Sequence, residues 1–87
     1  MKGRLKNLPT IFNIAGYRIY FYSNEGDEPC HVHVAKGKGA SSKIWLEPEI
    51  KVAHNDAKIP PKDLNKILDY VAVRRNKIIK KWKEFFS

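Results

Sequence analysis

The 87-residue sequence predicts an α+β domain, a small antiparallel β-sheet of three to five strands with one long C-terminal helix packed on one face. Three observations carry this expectation. Up to residue 53, apolar and aromatic residues alternate in short runs cut by Gly, Pro and Asn, the pattern of half-buried strands. From Pro60 onward the apolar spacing changes to i, i+3, i+4, the stripe of an amphipathic helix. The length allows one hydrophobic core between two layers and excludes a doubly wound nucleotide-binding sheet or a barrel enzyme.

Pro9-Thr10-Ile11-Phe12-Asn13-Ile14 reads as a short strand ended by a turn at Gly16. Tyr17 to Tyr22 is aromatic and β-branched and runs into the turn-forming Ser23-Asn24-Glu25-Gly26-Asp27, so it reads as a second strand. His31-Val32-His33-Val34 alternates with period two and closes at Gly37-Lys38-Gly39. A fourth strand covers Ser41 to Leu46 and stops at Pro48, and residues 49–53 supply a fifth. Leu64, Ile67, Leu68, Val71, Ile78, Ile79, Trp82, Phe85 and Phe86 form the helical stripe, with Pro61 suited to its first turn. Asp63 near the start and lysines near the end both complement the helix dipole. Such a helix of about 24 residues spans roughly 36 Å, so either its far end projects or it breaks near Arg74-Arg75-Asn76. Residues 1–8 form a basic flexible arm, and 9–87 form one domain.

The formal net charge of +8 arises from 17 Lys and Arg against 9 Asp and Glu. It is uneven: +3 lies in residues 1–8, zero in 9–59 and +5 in 60–87. Arg74, Arg75, Lys77, Lys80, Lys81 and Lys83 fall within ten consecutive positions, the clustering expected of a face turned toward a polyanion. The other reading is a solvated helix face. A hydrophobic fraction of 43% excludes an intrinsically disordered chain. A single cysteine, Cys30, excludes an internal disulfide and a paired-cysteine zinc site, and suits a reducing cytoplasm. No apolar run suits a signal peptide or a membrane span.

Strand periodicity then sorts the chemistry. With Ile19, Phe21, Val32, Val34, Ile44 and Leu46 turned to the helix, the opposite face carries Arg18, Tyr20, Tyr22, His31, His33, Lys43 and Trp45. Rings that stack bases, cations that meet phosphates and imidazoles that move protons make this a face for single-stranded RNA. The same residues also suit contact with another protein or a second copy of the chain.

His31 and His33 stand two apart on one strand, with Cα atoms about 6–7 Å apart. Three readings compete. With Glu28, they bind a divalent metal that activates water. Without metal, they serve as general acid and base in RNA transesterification: one takes the 2′-hydroxyl proton, the other protonates the leaving oxygen, and Lys43 or Arg18 stabilises the phosphorane. In the third they are structural, hydrogen-bonded across the sheet. The catalytic reading expects His31→Gln and His33→Gln to leave the melting temperature nearly unchanged. His54 either completes the cluster or is plain loop polarity. Cys30 beside the histidines is a weaker candidate, as a nucleophile.

Gly16-Tyr17-Arg18, Glu28-Pro29 with His31-Val32-His33-Val34, Lys43-Ile44-Trp45-Leu46-Glu47-Pro48, and Trp82 with Glu84-Phe85-Phe86 resemble the motifs of a family of small bacterial and archaeal proteins. That family, catalogued as a domain of unknown function, carries a Glu-Pro-Pro-His-Val-His-Val signature, and the likeness runs from Pro9 to Phe86. It implies His31, His33, Trp45 and Trp82 as motif positions, with no established activity; the residues themselves call for no cofactor beyond the divalent metal of the first reading. It also implies a cognate small protein encoded nearby, as in a toxin–antitoxin pair. Two departures stand out: Cys30 replaces the second proline of the signature, and the helix is more basic than is usual for the family. A looser likeness, in Ile59-Pro60-Pro61-Lys62-Asp63-Leu64, is to small messenger-RNA-cleaving toxins.

Two functions follow as expectations. The first is a cytoplasmic toxin–antitoxin-type component that engages RNA through the histidine face, as a metal-independent ribonuclease when catalytic. In this reading Tyr20, Tyr22, Trp45, Arg74, Arg75, Lys77, Lys80 and Lys81 contact the nucleic acid. The second is a non-enzymatic module that docks a cognate protein or a second copy as a homodimer, with the basic helix touching DNA. Neither involves a membrane.

Overall fold

The structure, a computed structural model, describes residues 10–21 and 27–86. The arm 1–8, Tyr22 and the turn residues 23–26 lie outside them. Five strands form one antiparallel meander in sequence order: β1 (Thr10–Ile14), β2 (Tyr17–Tyr20), β3 (His31–Ala35), β4 (Ser42–Trp45) and β5 (Lys51–Asn55). Two helices follow, α1 (Pro61–Val73) and α2 (Arg75–Phe86). The α+β class is as expected, whereas the single long helix is two. No helix among the described residues is long and apolar enough to cross a membrane.

Local chemistry accounts for the turns. Ala15 and Gly16, with φ of 52° and 84°, form the tight connection between β1 and β2, in the left-handed conformation that two-residue hairpins require. Asn55 organises the passage from β5 to α1. Its side-chain oxygen accepts from the Ser42 hydroxyl and from the Ile59 amide (3.0 Å), and its amide nitrogen donates to the Ile59 carbonyl (3.0 Å). The fully buried Ser42 is satisfied in this way, its Oγ also accepting from the Ala57 amide. Helix α1 then starts with Pro61 in its first turn and Asp63 facing the positive end of the dipole.

At the helix break the Arg74 side chain, and not its amide, meets the Tyr70 carbonyl. In an uninterrupted helix the Arg74 amide would donate to Tyr70, four residues back. Instead the Arg74 guanidinium lies 3.6 Å from the Tyr70 ring centroid and donates to the Tyr70 carbonyl at 3.2 Å. The Arg74 amide turns to Val71, and Arg74 leaves helical geometry with φ −106° and ψ 12°. Arg75 then fixes the new direction. Its guanidinium donates across the fold to the carbonyls of Leu46 (2.8 Å) and Pro48 (3.4 Å), beside the end of β4.

From that anchor α2 crosses the end of the sheet. Its other end brings Trp82, Phe85 and Phe86 against Phe21, just beyond β2, with ring centroids 5.1, 5.2 and 5.6 Å away. The core joins the predicted inner face of the sheet to Ile67 and Val71 of α1 and to Ile78 and Trp82 of α2.

Candidate functional site

Register assembles the opposite face. Tyr20, His33, Lys43 and His54 are successive partners across β2 to β5, forming one transverse row. His31 pairs with Trp45 in the neighbouring register. Among the described residues, the face therefore carries the side chains that strand parity assigns to it.

Three of them, the motif positions His31, His33 and Trp45, form one cluster with Trp82 of α2, centred on His31. Its ring lies 5.2 Å from His33, 5.3 Å from Trp45 and 5.0 Å from Trp82, the first two edge to face. His33 in turn stacks on Tyr20 at 5.6 Å. Trp82 reaches His31 because α2 runs across the sheet end, so one indole touches Phe21 from the core and His31 from the opposite face. Burial follows: His31 is 0% exposed, Tyr20 3% and His33 7%. The chain's own Trp82 thus covers part of the face that the sequence offered to RNA or to a partner.

His31 Nδ1 lies 2.9 Å from the Pro29 carbonyl. A carbonyl only accepts, so Nδ1 carries a proton and donates it, while Nε2 is buried from solvent. The charged groups are also engaged. Lys43 Nζ donates to Glu28 Oε1 at 2.7 Å and lies 4.2 Å from the Trp45 ring centroid. The Arg18 guanidinium lies 4.9 Å from the Tyr20 ring centroid.

A metal at His31, His33 and Glu28 fits this arrangement poorly. Glu28 Oε1 is held by Lys43 and stands 3.8 Å from His31 Nδ1, which the Pro29 carbonyl already occupies. Among the described residues no three His, Cys, Asp or Glu side chains are grouped to hold a metal ion. His54 shares the row, yet its Nδ1 lies 3.4 Å from Asp56 Oδ2, and both side chains are exposed. Cys30 is 1% exposed, and burial foremost, with the nearby Glu47 charge, pushes its thiol up to about 12, opposite to what an active nucleophile needs.

The basic helix divides in two. Arg74 and Arg75, expected on the nucleic-acid face, are half-buried and committed to backbone carbonyls. Lys77, Lys80, Lys81 and Lys83 are exposed, while Ile78 and Trp82 are buried on the opposite side of the same helix. At 100° per residue these lysines, with Asn76 and Glu84, fill one outward arc.

The sequence reading missed three features. The Pro29 carbonyl as the partner of His31 depends on the backbone turn between two nearby residues, and the two-sided contact of Trp82 depends on where α2 crosses the fold, so neither leaves a sequence signal. The third, a groove around Trp45 walled by Pro29 and Pro48, had a partial signal in the run Trp45-Leu46-Glu47-Pro48-Glu49. No match was found among curated proteins or solved structures. A family model spans residues 16–83, from the first hairpin turn through His31, His33 and Trp45 to Trp82, and by that match the chain belongs to the family described as Domain of unknown function (DUF4160).

Proposed function

We propose that the protein is a non-enzymatic, nucleic-acid-contacting module that binds the phosphate backbone of RNA or DNA through the outward arc of α2. The observation that carries this is the sorting of basic residues between Arg74 and Lys83, at the helix break and along α2. The two arginines are spent on the fold, and Lys77, Lys80, Lys81 and Lys83 stand exposed with Glu84 as the only acidic residue of the helix. Such an arc neutralises phosphates and releases counterions without reading sequence. The cytoplasmic toxin–antitoxin setting, with a cognate small protein as partner, belongs to the same proposal and rests on the motif resemblance.

The test is the salt dependence of binding. For Lys77→Gln, Lys80→Gln and Lys81→Gln combined, the slope of log affinity against log salt should fall by about 2 on single strands and nearly 3 on duplex. An unchanged slope refutes the proposal.

The ribonuclease reading has one observation in its favour: His31 and His33 are 5.2 Å apart, on the face that also bears Lys43 and Arg18. Against it stands the burial of His31 under Trp82, since a general acid or base must come within hydrogen-bond reach of the substrate. RNA cleavage lost in a folded His33→Gln variant is the result that would restore it.

A further inference from the structure

We propose that the groove at Trp45 is a docking site for a lysine- or arginine-bearing segment of a partner protein. The groove has a volume of about 260 Å³ and is lined by Pro29, Trp45, Glu47, Pro48, Glu49 and Lys51. This is below the roughly 300–1,000 Å³ of cofactor and drug-sized sites, and suits one long side chain with its flanking backbone.

Its chemistry selects a cation. In a chain of net charge +8, Glu47 and Glu49 place two carboxylates within three residues, against Lys51 as the single basic residue of the lining. Neither glutamate is in an ion pair among the described residues, whereas Glu28 is bonded to Lys43. The indole between the prolines offers a floor for an aliphatic stem and a π-face for the charged head. Trp45 already holds one such cation, Lys43. An acidic segment would meet carboxylates at the rim and is disfavoured on charge.

The site is also held ready. Arg75 bonds the carbonyls of Leu46 and Pro48, and the Leu46 amide bonds the Cys30 carbonyl at 2.9 Å, which ties the Pro48 wall to the Pro29 wall. Little ordering is left for binding to supply. The inference is separate from nucleic-acid contact at the lysine arc, because it uses different side chains of opposite charge.

The test follows the two indole N–H signals of the ¹⁵N-labelled full chain at about 150 mM salt, where the screening length of about 8 Å leaves local carboxylates to decide. Acetyl-(Gly-Arg)₃-amide should shift the Trp45 signal saturably and leave that of the buried Trp82 in place. Glu47→Gln combined with Glu49→Gln should weaken binding about fivefold. The variant carrying Lys77→Gln, Lys80→Gln and Lys81→Gln should bind the peptide as the parent does, which separates failure here from failure of the nucleic-acid proposal. The docking proposal is overturned by an equal shift with acetyl-(Gly-Gln)₃-amide, a stronger one with acetyl-(Gly-Glu)₃-amide or with oligouridylate, or undiminished peptide affinity in the glutamine double variant.

Discussion

Replacing His31 by Gln tests whether the histidine cluster is part of the core. The imidazole Nδ1–H donates to the Pro29 carbonyl, and the ring touches His33, Trp45 and Trp82 at 5.0–5.3 Å. Glutamine places its polar atoms at the position of Nε2, so the bond to Pro29 is lost and its amide is buried in an aromatic surround. Loss of that hydrogen bond costs about 1 kcal/mol, and an imperfectly satisfied buried amide costs another 1 kcal/mol or more. Ring contacts of this kind contribute about 0.5–1.5 kcal/mol each, and they are not additive, so about 1 kcal/mol is the conservative sum. The total is about 3 kcal/mol, which for a domain of this size lowers the melting temperature by roughly 12–24 °C. Urea and thermal unfolding followed by tryptophan fluorescence measure both quantities. Asparagine puts a donor nearer the Nδ1 position and should recover part of the loss. A His31→Gln variant that melts within about 3 °C of the parent would refute the placement of His31 in the core and reinstate it as a group free for catalysis.

Three further outcomes are expected. The Cys30 thiol, raised to about 12 mainly by burial, should resist a disulfide reagent at pH 8 in the native protein and react at once in urea; equal rates would show the site to be open. The Tyr17 hydroxyl donates to Asp63 Oδ2 at 2.9 Å, and that bond foremost raises the phenol above its ordinary value. Its contribution to stability is therefore complete below the unfolded-state pKa of about 10 and is lost as pH rises through the higher folded value. Tyr17→Phe should flatten that alkaline loss, and an unchanged pH profile would rule the bond out as its cause. Arg75→Ala should cost about 2 kcal/mol in urea unfolding, and Arg75→Lys should recover little of it, since two carbonyls are met by one planar fork. Full recovery by lysine would mean that charge alone is needed.

What the sequence made legible was local. Period-two parity placed Ile19, Val32, Val34 and Ile44 on the inner face, because alternation depends on neighbouring residues alone. The helix break was named only as an alternative, for a physical reason. Ile67, Val71, Ile78 and Trp82 keep helical phase across Arg74, so the interruption leaves no slip in the pattern. At the break a side chain meets the carbonyl that the amide leaves, and just beyond it Arg75 reaches Leu46, 29 positions earlier in the chain. Parity likewise named the face of His31 and could not name what covers it. The charge count treated arginines and lysines alike, although the arginines bond the backbone and the lysines face water.

Three properties of the molecule thus meet on α2 without sharing side chains. Its inner side supplies Trp82 to the His31 cluster, its first residue holds the loop that shapes the Trp45 groove, and its outer arc carries the lysines. Substitutions on the outer arc should therefore alter the salt slope of nucleic-acid binding and leave melting and peptide docking in place, because the altered atoms point away from both. Substitution of Arg75 should affect stability and the groove together, since the bonds it makes to Leu46 and Pro48 serve the seating of the helix and the position of the rim. A variant set in which the lysine changes lowered stability as much as the arginine change would show that α2 is held by its surface charge, contrary to the packing described.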